Sequence, residues 1–269
     1  MVDFKGFDAD YRRYFSQLVG KGHCPFSIEQ ASTLLQLPHD RTKHVLMGLT
    51  NSGWLSRIKQ GLYVPVPLSL QEGQTLAADP WVIANSLFSP CYIGGWDAMS
   101  YWDLTDQIFN STFVYTSHPQ KKSKQAYLGQ VFITHKIPEE QFFGVKIVWK
   151  DGVKLKVSDP SRTLIDFLDA PHLLGSSALL YEVFLSYLNS THKDVGLLVD
   201  YALKMKNRAI IKRLGFLLEY EKLLTPSTND KLSSALSAGK VKLIPTQECP
   251  RLVTKWQLWV PEHWKETKQ

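Results

Sequence analysis

From Asp8 to Val64 the apolar positions fall into a succession of periods, three helical stripes followed by one alternating ribbon. Asp8 to Val19 sets Tyr11, Tyr14, Phe15 and Leu18 at the i, i+3, i+4, i+7 spacing of one buried helical face. A second helix opens at Ser27-Ile28-Glu29-Gln30, where a serine followed three residues later by a glutamine predicts a capping box. Its inward face is Ile28, Ala31 and Leu35. Leu37-Pro38-His39 ends it, because proline disfavours helical geometry in the residue before it. Asp40 is then placed to cap a third helix running to about Ser52, with Gly53 as its stop. Trp54 to Val64 alternates inward apolar with outward basic residues; Gly61 supplies a turn, and Pro65 and Pro67 close the unit.

Helix, helix, tight turn, helix and basic hairpin is the sequence order of a winged helix-turn-helix, a module that lays one helix in the major groove of DNA. On the third helix Val45, Leu46 and Leu49 form the buried stripe, with Thr42 at its edge. At roughly 100° per residue, Lys43, His44, Met47 and Asn51 take the opposite face and Arg41 flanks it. For an isolated helix the plainer reading is a solvated polar face. The ribbon beside it reverses that preference, because Arg57 and Lys59 stand on its outer side, suited to phosphates. The sequence therefore predicts Thr42, Lys43, His44, Met47 and Asn51 at base edges and thymine methyls, and Arg41, Arg57, Lys59 and Gln60 on the DNA backbone.

The predicted fold class is α+β. A winged helix-turn-helix over 1–68 is followed by a polar linker over 69–79 and a larger mixed α/β domain over 80–269, with an antiparallel sheet and a C-terminal helical group. In that second part Trp81–Leu87 and Trp96–Trp102 look helical, and Cys91-Tyr92-Ile93 is a short strand. Strands are predicted at Thr112–Thr116, Gln130–Thr134, Val145–Trp149 and Val153–Val157, the last two joined by Asp151-Gly152, a strong hairpin signal. Asp159-Pro160 opens a helix in which Arg162 and Asp166 make an i, i+4 pair worth a few tenths of a kcal/mol. Further helices fall near Ser177–Leu188, Asp194–Met205 and Arg208–Leu223, with Arg208 and Lys212 on a shared exposed side. Val241–Ile244 and Lys255–Val260 return to β character.

Three segments, in order along nearly the whole chain, carry a family resemblance. They are Arg57-Ile58-Lys59-Gln60-Gly61-Leu62-Tyr63; Tyr92-Ile93-Gly94-Gly95-Trp96-Asp97-Ala98 running into Leu104-Thr105-Asp106-Gln107; and Val157-Ser158-Asp159-Pro160-Ser161-Arg162-Thr163-Leu164-Ile165-Asp166, with Arg213-Leu214-Gly215-Phe216-Leu217-Leu218-Glu219 downstream. Together they resemble the AbiEi antitoxins, the DNA-binding halves of type IV toxin–antitoxin systems linked to abortive phage infection. The resemblance implies an autorepressor that binds inverted repeats in its own promoter. It also implies a C-terminal domain that counteracts a nucleotidyltransferase toxin without forming a stable complex with it.

Composition changes this picture little. The formal charge is +6, and the first 67 residues contribute about half of the excess, which favours a polyanionic partner and salt-dependent binding. The Lys121-Lys122-Ser123-Lys124 run is either a solvated loop or an accessory contact to backbone phosphate through Lys121, Lys122 and Lys124. Cys24, Cys91 and Cys249 lie far apart, which excludes a zinc ribbon and argues against a disulfide framework; His23-Cys24 reads as a helix end rather than a metal site. No metal or cofactor is expected. The charged N-terminus predicts no signal peptide and no run of about eighteen apolar residues exists, so a cytoplasmic protein without a membrane span is expected.

Two alternatives stay open beside the antitoxin. One is a solitary transcriptional regulator whose C-terminal domain senses a ligand or partner. The other, less favoured, is a DNA-targeted nuclease using Asp151 and Lys154, for which the preceding strands supply no clear second carboxylate. No nucleophile elbow, Walker loop or HExxH motif is present, so no catalytic residue is assigned. No leucine-zipper heptad is visible, which predicts a monomer binding cooperatively to DNA repeats.

Overall fold

A computed structural model describes residues 9–20, 24–66 and 78–264. The chain is α+β. It runs α1 (Ala9–Val19), β1 (Phe26–Ser27), α2 (Ile28–Leu35), α3 (His39–Asn51), β2 (Leu55–Lys59), β3 (Leu62–Pro65), α4 (Pro80–Phe88), β4 (Cys91–Ile93) and α5 (Gly95–Tyr101). Strands β5 (Ser111–Thr116), β6 (Lys124–Tyr127), β7 (Gln130–Lys136), β8 (Val145–Lys150) and β9 (Val153–Ser158) follow. Then come α6 (Pro160–Asp169), α7 (Ser177–Asn189), α8 (Val195–Lys204), α9 (Arg208–Tyr220), α10 (Pro226–Ser234), β10 (Val241–Lys242), β11 (Arg251–Val253) and β12 (Leu258–Val260). Two units separate: 1–93 with 110–136 and 147–156, and 94–109 with 137–146 and 157–269. The expected linker over 69–79 lies almost wholly outside the described residues, as do Asp8, His23 and Pro67.

In the first unit, α1, α2 and α3 pack around one apolar cluster that includes Tyr14, Phe15, Leu18, Ala31, Leu35, Val45, Leu46 and Leu49. The capping box forms as predicted: the Ser27 hydroxyl accepts from Gln30 N, and the Gln30 side chain accepts from Ser27 N at 2.8 Å. Gln36 ends α2 in a left-handed conformation (φ 53°), and α3 starts after Pro38. Asp40 is not the cap of α3. Pro38 stands at that position and gives no side-chain cap, while Asp40 sits in the first turn, where a carboxylate still favours the helix dipole. Strands β1, β3 and β2 form an antiparallel sheet in the order β1-β3-β2, and Ile28 N donates to Gly61 O, tying the hairpin tip to the start of α2.

The rest of that unit is built on a six-stranded sheet ordered β6-β7-β5-β4-β9-β8. It is mixed rather than wholly antiparallel, because β5 and β7 run parallel, with Ser111 opposite Val131 and Thr116 opposite Lys136. The intervening strand β6 lies at the sheet edge and pairs antiparallel with β7. β6 escaped the sequence reading because Lys124-Gln125-Ala126-Tyr127 has almost no apolar content, a composition that suits an edge. At the other edge, Asp151 (φ 50°) and Gly152 (φ 75°) make the two-residue turn predicted between β8 and β9.

The second unit is mainly helical. Asp159 caps α6, accepting from Arg162 N at 2.8 Å, and Pro160 takes the first turn as predicted. Every residue from Pro160 to Leu168 is buried, so the Arg162–Asp166 pair, 2.9 Å apart, is a core ion pair and not the surface pair its spacing suggests. Helix α9 is also covered. Arg213 donates to the carbonyls of Leu168, Lys242 and Leu243, joining α6 and β10 to α9, and burial pushes its guanidinium pKa down to about 10. Lys212 is not exposed beside Arg208 as expected; it is buried, donating to the Gly239 carbonyl, and burial lowers its pKa.

Candidate nucleic-acid interface

The geometry of α3 follows from its packing. Val45, Leu46 and Leu49 are buried, and the chain approaches α1 so closely at Gly48 that a methyl group there would meet the Tyr11 ring at 2.8 Å. One side of the helix is thus fixed against the core. Arg41, Lys43, His44, Met47 and Asn51 are all exposed on the other, as predicted. Met47 stands out, since 54% of a large apolar side chain faces solvent.

Thr42 does not join them. It is fully buried, and its hydroxyl donates to Pro38 O at 3.1 Å. That bond satisfies the polar group inside the helix's own first turn and withdraws it from any base edge. His39 takes its place at the margin. It lies four residues before Lys43 and eight before Met47, is exposed, and has Nε2 3.9 Å from the Glu29 carboxylate. Its signal was the i, i+4 spacing, masked by reading His39 as part of the helix break. A hydrogen bond with the Ser27 side chain and one with its own backbone hold the Glu29 carboxyl below the usual range.

Beside α3, the β2–β3 hairpin presents Arg57, Lys59 and Gln60 to solvent while Leu55 and Ile58 point inward. An irregularity at Ile58 shifts the register, so Arg57 pairs with Tyr63 and Lys59 with Leu62. Arg57 Nε lies 3.4 Å from Lys59 O, and Lys59 Nζ lies 3.4 Å from Leu87 O at the end of α4. Both contacts are long, so either group can exchange its carbonyl for a phosphate oxygen at small cost.

Among the described residues of 9–66, the cations Arg12, Arg13, Arg41, Lys43, Arg57 and Lys59 stand against three carboxylates. Asp10 lies 3.3 Å from Arg13, Asp40 3.7 Å from Lys43 and Glu29 beside His39, all on the surface where such pairs are weak. What the arrangement can do chemically is bind: one helix face of donors with an apolar tip, next to a cationic hairpin. Lys121, Lys122 and Lys124 are exposed around the start of β6, in the same unit.

Of the residues considered for catalysis, Lys154 lies on β9, directly after the turn that holds Asp151. Asp151 sits at the β8–β9 turn, where its carbonyl accepts from the Cys24 thiol at 3.3 Å. Burial, and secondarily the Asp151 charge, push that thiol's pKa up, which works against a reactive thiolate. Among the described residues, no group of three or more His, Cys, Asp or Glu side chains comes together to hold a metal ion. Among the same residues no helix is long and apolar enough to cross a membrane.

No protein-family model and no curated protein sequence matches the chain. Among solved structures, the chain is similar in fold to the crystal structure of the RV2827C protein from Mycobacterium tuberculosis, with a TM-score of 0.59 and 14% sequence identity. The alignment covers 94% of this chain and 92% of that one, so the likeness extends over both units. At that identity it speaks to fold alone.

Proposed function

We propose that residues 9–66 form a winged helix-turn-helix, that α3 enters the major groove of duplex DNA, and that the β2–β3 hairpin is the wing. The observation that carries this reading is the exposed face of α3, Arg41, Lys43, His44, Met47 and Asn51, on a helix that packs against β2, the strand bearing the exposed cations Arg57 and Lys59. Lys43 and His44 read base edges, Met47 packs on a thymine methyl, and Asn51 lies further along the same face. Arg41, Arg57, Lys59 and Gln60 hold phosphates.

The biological setting we propose is that of a cytoplasmic antitoxin and autorepressor, acting as a monomer that binds cooperatively to inverted repeats in its own promoter. Its C-terminal part opposes a nucleotidyltransferase toxin without a stable complex. Support for this setting comes from the three AbiEi-like segments ending at Tyr63, Gln107 and Glu219. A gel shift with DNA from upstream of its own gene, paired with co-expression of the adjacent reading frame, tests both halves. A promoter shift together with rescue from a toxic neighbour is the expected result. A shift without any toxicity to rescue leaves a solitary regulator, and no shift removes the DNA-binding reading.

A further inference from the structure

The β8–β9 hairpin exposes a second surface with a different chemistry. Its two-residue turn sets Lys150 opposite Val153, and hence Trp149 opposite Lys154 and Ile147 opposite Lys156. Burial agrees with that register, since Val148 and Leu155 are buried and the flanking positions are exposed. Lys150 marks the covered side, with Nζ 2.9 Å from Asp79 and 3.9 Å from the centre of the Trp81 ring on α4. Ile147, Trp149, Lys154 and Lys156 therefore share the other side. There Trp149 is 66% and Ile147 46% exposed, on a strand at the sheet edge.

We propose that this face binds single-stranded nucleic acid, with a base stacked on Trp149 and neighbouring phosphates on Lys154 and Lys156. An indole offers a flat π surface to any base, and such stacking is sequence-tolerant. The two lysines are two residues apart on one strand, about 7 Å, close to the spacing of successive phosphates in an extended strand. The hairpin's own sequence carries Lys146, Lys150, Lys154 and Lys156 with one carboxylate, Asp151, which lies at the turn rather than on this face; Lys150 is paired with Asp79 on the covered side. A second copy docked face to face would set lysines against lysines, so charge favours a polyanion over self-association. This surface is independent of α3, and the reading of one does not rest on the other.

The test is fluorescence anisotropy of a labelled oligothymidylate of about ten nucleotides with the full chain. It is run in the Arg57→Ala/Lys59→Ala background so that the β2–β3 hairpin contributes little. Trp149→Ala, an exposed substitution that should melt with its parent, is expected to weaken binding about tenfold, while Trp149→Phe retains most of it. Lys154→Ala with Lys156→Ala should reduce the salt slope by about 1.4, at roughly 0.7 per phosphate on a single strand. Trp149→Ala in the otherwise natural chain should shift promoter duplex as before. Loss of duplex binding throughout, with the oligothymidylate result intact, would remove the proposal for α3 and leave this one standing. Equal oligothymidylate affinity for parent and Trp149→Ala, or none for the parent, overturns it. So does light scattering showing that Trp149→Ala dissolves a homodimer.

Discussion

Removing both cations of the β2–β3 hairpin should change the salt dependence of DNA binding, and removing the donors of α3 should change its sequence dependence. Arg57 and Lys59 are exposed, and among the described residues each makes one 3.4 Å contact to a carbonyl, so Arg57→Ala/Lys59→Ala strands no buried group there. Each phosphate contact on duplex DNA contributes roughly 0.9 to the slope of log affinity against log salt, so the double variant should flatten that slope by about 1.8. Over a roughly fourfold rise in salt, that is about a tenfold difference in how much affinity is lost. Promoter and scrambled duplexes should be affected alike. Lys43→Ala/His44→Ala acts on the other term. A lost base contact costs about 1–3 kcal/mol of discrimination, so the promoter-to-scrambled ratio should fall roughly 5- to 150-fold. Because Lys43 already shares its charge with Asp40 at 3.7 Å, the slope should move by less than one phosphate's worth. Anisotropy titrations on both duplexes at several salt concentrations measure all of this. If the two pairs change slope and discrimination in the same proportion, the division between reading helix and phosphate-binding hairpin is wrong.

Three further outcomes concern the second unit. Asp166→Asn should destabilise the chain by about 3–5 kcal/mol in urea unfolding by stranding the buried Arg162 charge; Arg162→Met/Asp166→Leu should recover most of that loss, and equal losses would contradict a core ion pair. Gly215→Ala would drive a methyl group to 2.2 Å from the buried Trp256 ring and should cost about 1–3 kcal/mol, visible as a lower urea midpoint at unchanged m-value. Tyr201 donates to Asp159 Oδ2 at 2.9 Å, and burial followed by the Asp159 charge pushes its phenol up to about 12. The folded state therefore keeps a proton the unfolded chain loses above its ordinary value near 10, so the contribution is complete below pH 10 and lost as pH rises through about 12. Tyr201→Phe should lose that part of the alkaline decline, and an identical profile would show that Tyr201 does not carry it.

The N-terminal elements were legible because their signals are local. Ser27 and Gln30 satisfy each other's backbone groups three residues apart, Pro38 breaks the chain between α2 and α3, and Gly61 takes φ 79° at the hairpin tip. The face of α3 followed from helical geometry except at its edge. There Thr42 could have gone either way, and its bond to Pro38 O lets a hydroxyl sit in the core. Farther along, what mattered was distant in sequence. Lys212 is buried because Gly239, 27 residues on, offers a carbonyl, and no periodicity encodes that. Arg162 and Asp166 announced a pair but not its burial, which depends on the packing around α6. Edge strand β6 and helix α10, both poor in apolar residues, gave no pattern to read.

The placement of α3 in a groove is tested most directly by dimethyl sulfate protection of the promoter duplex. Guanine N7 opens on the major groove and adenine N3 on the minor, so the reagent reports which one the bound chain covers. Guanine N7 protection is expected in each repeat, lost in Lys43→Ala/His44→Ala while Arg57→Ala/Lys59→Ala keeps the same pattern at higher protein concentration. Protection confined to adenine N3, or a guanine pattern indifferent to Lys43 and His44, would contradict it.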